Sequence, residues 1–350
     1  MSLTSIPPLD AAAARAARER IDSLTKPVGS LGRIEELAER LAAMHGSLPP
    51  VYERRAILVG AGDHGVTAEG VSAYPSEVTP QMVGAFLGGF AAINAFARVA
   101  RAHVYVADFG VAAELPQHER LIAVKVARGT RNLAREAAME EGDVDRALEA
   151  GARAFGRVRE LVDPQIIACG EMGIGNTTSA AAIICALTGA EAEDVVGRGT
   201  GVDDESLRRK QRVVGEAVLR VKNGDWRRIA AEVGGYEIVG LAGIMLAAAA
   251  ARVPILLDGF IVSAAALLAQ AAAPEITGYL IAAHRSRELG HTIALRHLGL
   301  VPLFDLDLRL GEGSGAALAF PLCEAAARMV REMKTFAEAG VSTANETASA

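Results

Sequence analysis

Two kinds of hydrophobic pattern alternate along the chain. Short runs of consecutive apolar residues stop at glycines or polar residues in RRAILVGAGDHGV, AHVYVADFGV (102–111), LIAVKVARGT (121–130), PQIIACGEMGIGNTT (164–178), VPILLDGF (253–260) and LVPLFDLDLRLGEG (300–313). Between most of them the pattern predicts helices, over 81–100, 136–161, 177–188, 204–221, 237–251, 260–272 and 286–298. Two further helices are predicted ahead of the first run, over 9–24 and 33–45. The second opens at Ser30 and carries Ile34, Leu37, Leu41 and Met44 at helical spacing. Strands that are apolar almost throughout belong to sheets covered on both faces. The expected fold is therefore α/β, a mostly parallel sheet flanked by helices. Ligands of such sheets bind beyond the carboxyl ends of the strands, where nearly all the unusual residues of this sequence fall.

Composition narrows the partners. With 51% apolar and 22% charged residues the chain is expected to fold, and its 4% aromatic content with abundant alanine predicts helices touching through small side chains. A net charge of −6 and the lack of a long Lys/Arg block argue against a nucleic-acid partner. Cys169, Cys185 and Cys323 are far apart and odd in number, with no CxxC pair, so neither a zinc site nor a disulfide framework is indicated. Buried thiols in a reducing cytoplasm are the expectation. No signal-peptide pattern is visible. The longest apolar stretch, Ile244 to Leu257, contains Arg252 and Pro254 and falls short of the about 20 residues that span a bilayer. A soluble protein with no membrane partner is expected, with a disordered tail over 341–350.

Five stretches carry candidate chemistry. GAGDHG (60–65) satisfies GxGxxG after a strand, but VTAEGVSAYPSEV follows it, which reads as loop rather than the helix a dinucleotide fingerprint requires. Asp63 and His64 are either a structural hydrogen-bonded pair supporting that loop or part of a pocket lining. GEMGIGNTTSA (170–180) runs from a strand into an apolar helix. Its glycines 170, 173 and 175 expose backbone N–H groups, and Asn176, Thr177 and Thr178 can cap the helix, which makes an anion site of the phosphate-binding type without a P-loop sequence. Glu171 stands oddly beside it. In GRGTGVDDESLRRK (197–210), Arg198, Thr200 and the loop amides could hold a carboxylate. Lys210 reaches back from the next helix as a point charge, or else lies on a solvated face. HRSRELGH (284–291) places Ser286 near a helix N-cap, and its two histidines, seven apart, do not match the spacing of an HExxH metal site. Finally, Glu312 sits between glycines in LDLRLGEGSGA (306–316), with Leu308 and Leu310 as expected apolar walls. Burial would raise its pKa and suit it to accept a proton. A glutamate in the first turn of a helix also stabilises the dipole. Local sequence leaves the two readings balanced.

TKPVGSLGR, GAGDHGV, GEMGIGNTT, GRGTGVDD, DGFI, HRSRELGH and LDLRLGEGSGA occur in this order from about Leu24 to Val341. Together they closely resemble the nicotinate-nucleotide–dimethylbenzimidazole phosphoribosyltransferase family of cobalamin lower-ligand assembly. The resemblance implies a homodimer with a Rossmann-like large domain, over 46–314, and a small helical domain from both chain ends, over 1–45 and 315–340. It implies nicotinate mononucleotide and 5,6-dimethylbenzimidazole as substrates, with no metal and no organic cofactor. By the same resemblance Glu312 is the general base and Glu171 an auxiliary carboxylate near the reacting carbon. Gly173, Ile174, Gly175, Asn176, Lys210 and Ser286 bind the phosphate, and Arg198, Gly199 and Thr200 lie on the nicotinate side. Pro75, Ser76, Gln81 and Phe86 of the 71–86 loop, with Leu310, line the base pocket. A same-fold transferase using another azole or a purine is the enzymatic alternative. A catalytically silent nucleotide-binding protein and an NAD-dependent dehydrogenase are the others.

Overall fold

Strands β1 (Arg55–Gly62), β2 (His103–Gly110), β3 (Leu121–Ala123), β4 (Ile166–Met172), β5 (Ile255–Leu257) and β6 (Leu280–Ala282) form one sheet. Their order is β3-β2-β1-β4-β5-β6, and every adjacent pair is parallel. Every residue of β1 is buried, which is why the run reads as continuously apolar and does not alternate. The order reverses between β1 and β4, and that switch point opens a crevice at the strand ends. The structure is a computed structural model and describes residues 5–199, 201–222 and 224–342.

Helices α1 (Ala11–Ser23) and α2 (Arg33–His45) precede β1, and α3 (Val78–Gly88) and α4 (Ala92–Ala100) join it to β2. Helix α5 (Glu141–Val162) leads into β4. The path from β4 to β5 runs through α6 (Asn176–Thr188), α7 (Ala192–Val195), α8 (Asp204–Arg220), α9 (Trp226–Val233) and α10 (Tyr236–Ala250). Helix α11 (Phe260–Ala272) joins β5 to β6, and α12 (Leu289–Leu298), α13 (Ser314–Glu332) and α14 (Phe336–Ala339) follow. The small-residue content has a direct use. A Cβ on Gly151 of α5 would lie 2.0 Å from the Gly240 carbonyl oxygen of α10, and one on Gly243 would lie 2.2 Å from the Leu148 carbonyl oxygen. The two helices approach backbone to backbone, which only glycine permits.

The chain divides into two compact units. The larger contains Arg54–Ala319 with the described part of Met1–Pro7, and the smaller contains Pro8–Glu53 with the described part of Phe320–Ala350. The breaks fall at 53/54 and 319/320, not at the expected 45/46 and 314/315. In the smaller unit the two chain ends interlock. The Arg20 guanidinium donates to the Val330 and Met333 carbonyls, Leu24 bridges to Thr335, and Lys26 pairs with Glu35 at 2.8 Å.

Several sequence expectations need correction. The predicted helix 81–100 is two helices, because Gly89 takes a left-handed φ of 80° that closes α3. Val78–Ala100 has the length and hydropathy of a membrane span, but this break divides it. The run 300–313 is not a strand. It touches the sheet's extension through one His284–Phe304 bridge, and the sixth strand is the unexpected LIA at 280–282. Ser30 does not open α2, whose N-cap position is Gly32. Helix α9 falls between the predicted helices 204–221 and 237–251, and the expected tail beyond Ser342 lies outside the described residues.

Candidate active site

In the larger unit a cavity of about 530 Å³ opens at the carboxyl ends of β4, β5 and β6. The turn after β4 contributes Glu171, Met172, Gly173, Ile174, Asn176 and Thr177, and the turn after β5 contributes Gly259, Phe260 and Ile261. His284, Ser286 and Glu288 come from beyond β6, Gly199 from the second glycine loop, and Arg309 to Glu312 from the segment before α13. Tyr74, Val78 and Met82 complete the wall.

The β4 turn is built to enter a helix at once. Gly175 occupies the N-cap position of α6 with φ 95°, a conformation that excludes other residues without strain. No side chain caps α6, contrary to expectation, because Asn176 turns its amide to Glu171 and Thr177 accepts a hydrogen bond from Lys210. The loop is pinned from outside by the Ile174 N–H, which donates to Thr79 Oγ1 at 3.1 Å.

Lys210 is not on a solvated face. It is 1% exposed, and its Nζ lies 2.7 Å from Thr177 Oγ1 and 3.4 Å from the Gly197 carbonyl oxygen. Burial pushes its pKa down to about 8, with Glu288 acting in the opposite direction. A Cβ on Gly199 would sit 3.1 Å from that ammonium, so the second glycine loop closes directly over it. The combination of α6 N-terminus, glycine turn and buried lysine is suited to hold a phosphate.

Glu312 occupies a turn in which three successive residues are left-handed, Gly311 at φ 90°, Glu312 at 63° and Gly313 at 90°. Such a φ costs a non-glycine residue about 1 kcal/mol or more. The neighbouring strand explains how the turn fits, since a Cβ on Gly170 would lie 2.4 Å from the Glu312 carbonyl oxygen. The helix that follows is capped by another residue. Asp258 accepts from the N–H groups of Gly313, Gly315 and Ala316 at 2.9, 2.8 and 3.1 Å. Glu312 is thereby free of α13 and turns toward the cavity, with Oε2 accepting from Ile93 N–H of α4 at 3.1 Å. Burial raises its pKa and Asp258 adds to this, while the Ile93 N–H opposes them. Leu310 lines the cavity while 57% exposed, and Leu308 is not part of the wall.

Beside the same turn, where a Cβ on Gly311 would lie 2.3 Å from its Oε1, Glu171 is 7% exposed and its pKa is pushed up to about 8. Burial is the main cause, the Asn176 hydrogen bond opposes it, and Asp258, Glu237 and Glu312 add repulsion. Under these interactions alone Glu171 keeps its proton at neutral pH. Beyond β6, the Ser286 N–H donates to His291 Nδ1 at 2.8 Å, which leaves His291 Nε2 to donate to Ser263 Oγ at 3.1 Å. Burial, with His284 beside it, lowers the His291 pKa to about 3, so this histidine is a neutral prop for Ser286. Ser286 lies three residues before the first residue of α12 and accepts from the Glu288 N–H at 3.3 Å. His284 and His291 do not share a helix face, since α12 begins only at Leu289, yet their ring centroids are 6.0 Å apart. Among the described residues no three His, Cys, Asp or Glu side chains are grouped to hold a metal ion.

Some expected site residues lie elsewhere. Arg198 is exposed and bonds to the Val202 carbonyl and to Asp204, away from the cavity lining. Thr200 lies outside the described residues. Pro75 and Gln81 are exposed, Ser76 Oγ is 3.0 Å from Thr67 Oγ1, and Phe86 is buried in the core, so none of the four lines the cavity. The wall is formed instead by Tyr74, Val78 and Met82, whose four-residue spacing was the available signal. Asp258, in DGFI, had no local signal for its capping role. His64 hydrogen-bonds Glu237 at 2.6 Å and Asp63 accepts from the Ala112 N–H at 2.8 Å, so each supports the loop through a different partner and neither lines the cavity. The turn after β1 forms a 3₁₀ segment, Gly65–Glu69, and opens no α-helix for a dinucleotide.

The family model described as Phosphoribosyltransferase matches residues 6–341. A relative from Chloroflexus aggregans, named nicotinate-nucleotide–dimethylbenzimidazole phosphoribosyltransferase, is 51% identical over 99% of this chain and 98% of its own. A relative of the same name from Thermus thermophilus is 54% identical over 93% of this chain and 97% of its own. The crystal structure of the phosphoribosyltransferase of that name from Thermus thermophilus is similar with a TM-score of 0.91 at 51% identity, covering 96% of this chain and 100% of that one. A crystal structure of CobT from the same organism gives a TM-score of 0.92 at 53% identity, covering 95% of this chain and 99% of that one.

Proposed function

The chain belongs to the nicotinate-nucleotide–dimethylbenzimidazole phosphoribosyltransferase family, and from that premise we propose how its cavity works. It transfers the 5-phosphoribosyl group of nicotinate mononucleotide to 5,6-dimethylbenzimidazole and releases nicotinate and α-ribazole 5′-phosphate. The nucleotide phosphate rests on the Gly173–Asn176 turn with Lys210 and Ser286, and the nicotinate ring lies toward Gly199. The apolar wall of Tyr74, Val78, Met82 and Leu310 holds the incoming base. Glu312 takes the N–H proton from one imidazole nitrogen while the lone pair of the other forms the bond to C1′. The bond from C1′ to the pyridinium nitrogen breaks with its electron pair going to nicotinate, which leaves without needing a proton. Attack opposite the leaving group inverts β to α. The positive charge of the bound pyridinium and of the oxocarbenium-like ribose favours ionised Glu171, which then stabilises both.

The observation that carries this reading is the placement of Glu312. Asp258 caps α13, so a buried carboxylate with raised basicity is left on the cavity wall. We further read the protein as a cytoplasmic homodimer with no metal or organic cofactor. Exposed Phe90 and Val99 of the larger unit offer apolar surface for a second copy, which sedimentation would detect. Incubating the enzyme with both substrates and following the products by NMR tests the reaction. Nicotinate release with an α-configured product is expected, and a β product or no release would overturn it. A higher kcat/KM for adenine or another azole would move the acceptor assignment.

A further inference from the structure

The proposed reaction leaves one buried pair unused. His64, at the end of β1, and Glu237, in the first turn of α10, are 2% and 0% exposed, and their side chains meet at 2.6 Å. His64 Nδ1 and Glu237 Oε2 have no hydrogen-bond partner among the described residues. Burying two such groups is costly and is offset only in part by their mutual bond.

Four glycines enclose this pair. A Cβ on Gly62 would lie 2.7 Å from Glu237 Oε2, and one on Gly235 would lie 2.3 Å from His64 Cε1. On the cavity side, a Cβ on Gly173 would lie 3.2 Å from Glu237 Oε1 and one on Gly175 would lie 3.2 Å from His64 Cβ. The backbone of the β4 turn thus rests on the pair with no side chain between. The same Glu237 carboxylate also contributes to the raised pKa of Glu171 two residues before Gly173. The sequence motif GAGDHG, which fails as a dinucleotide site, delivers His64 to this position.

We propose that the His64–Glu237 pair is a positioning device for the Gly173–Gly175 turn, setting the direction of its amides toward the phosphate of the bound nucleotide. This rests on the reading of that turn as the phosphate site. Neither residue lines the cavity, so both act through the backbone above them. A carboxylate and an imidazole at 2.6 Å fix the separation of β1 and α10 more tightly than an apolar contact, because a hydrogen bond is directional.

Steady-state kinetics of the full-length enzyme, with each substrate varied in turn, tests this. His64→Ala and Glu237→Ala are expected to raise KM for nicotinate mononucleotide roughly tenfold, the scale of one misdirected hydrogen bond to a charged group. KM for the base should stay within about twofold, since its proposed wall is built from other elements. Glu237→Gln keeps the reach and the hydrogen bond and should restore the nucleotide KM. Glu237→Asp, one methylene shorter, should give an intermediate rise even where the alanine variants fail to fold. An unchanged nucleotide KM in Glu237→Asp, or equal rises for both substrates, would overturn the positioning role. A wild-type enzyme that does not turn over nicotinate mononucleotide would instead remove the underlying reading of the site.

Discussion

Two turns lie side by side at one end of the cavity, and each carries one glutamate. The turn after β4 presents Glu171 from the end of a regular strand, and a side chain, Asn176, holds it. The Gly311–Gly313 turn presents Glu312 from left-handed backbone, and a backbone N–H, that of Ile93, holds it. Both carboxyls are raised by burial. Asp258, Glu237 and Glu312 add to the rise of Glu171 to about 8, while Asp258 adds to the rise of Glu312, and the repulsion between the two glutamates is mutual. On the proposed reading this difference separates their chemistry, with Glu171 holding its proton until the cationic nucleotide binds and Glu312 accepting the proton of the base. Burial, the largest cause at both, is deeper at Glu171, and more acids surround it.

The sharpest way to break this comparison is to remove the acceptor. Glu312→Gln should lower kcat by roughly two to four orders of magnitude, the usual scale for loss of a general base. Near-normal turnover across the pH range would remove the assignment. Lys210→Ala comes next. Losing a charge-assisted hydrogen bond to the phosphate should raise KM for nicotinate mononucleotide about 10- to 100-fold, with a smaller change in kcat. A KM that does not move would mean that the buried ammonium serves only Thr177 and the Gly197 carbonyl.

Glu171 yields a smaller, signed effect on stability. Its folded pKa of about 8 lies above the ordinary 4.5, so the folded state binds the extra proton between those values. The contribution is fully present below about 4.5 and is lost as pH rises through about 8. Scanning calorimetry of the free enzyme should show Tm falling over that window. Glu171→Gln should flatten the fall and melt above the wild type at alkaline pH, and parallel curves would contradict the buried-proton account. The smallest effect is expected outside both turns. Arg198→Ala should leave both KM values within about twofold, as for an exposed ion pair away from the cavity. A tenfold rise for the nucleotide would return Arg198 to the nicotinate side.

Much of this arrangement was visible in local sequence. The parallel sheet was legible because strands buried on both faces leave unbroken apolar runs, and the β4 turn because glycines at 173 and 175 lead straight into an apolar helix. The misreadings have equally local causes. LVPLFDLDLRLGEG has the apolar content of a strand but exposes Leu306 and Leu310, and LIA at 280–282 is too short to stand out. The expected base-pocket residues come from the loop and helix that reach the cavity, but from another face of it. Pro75, Ser76, Gln81 and Phe86 point elsewhere, while Tyr74, Val78 and Met82 line the cavity.

The sequence by itself determined most of the element types, the strand-end location of the unusual residues and, through seven ordered motifs, the family. It did not decide what each charged group does. Lys210 reads as a surface lysine until α8 places it against Thr177, 33 residues away. Glu312 reads equally as a helix ornament or a base until Asp258, 55 residues from Gly313, takes the capping position and Ile93, 219 residues from Glu312, turns its carboxylate to the cavity. Periodicity and glycine placement follow from interactions along the chain. Burial, charge repulsion and hydrogen-bond competition depend on which distant residues meet, and only the tertiary structure supplies those meetings.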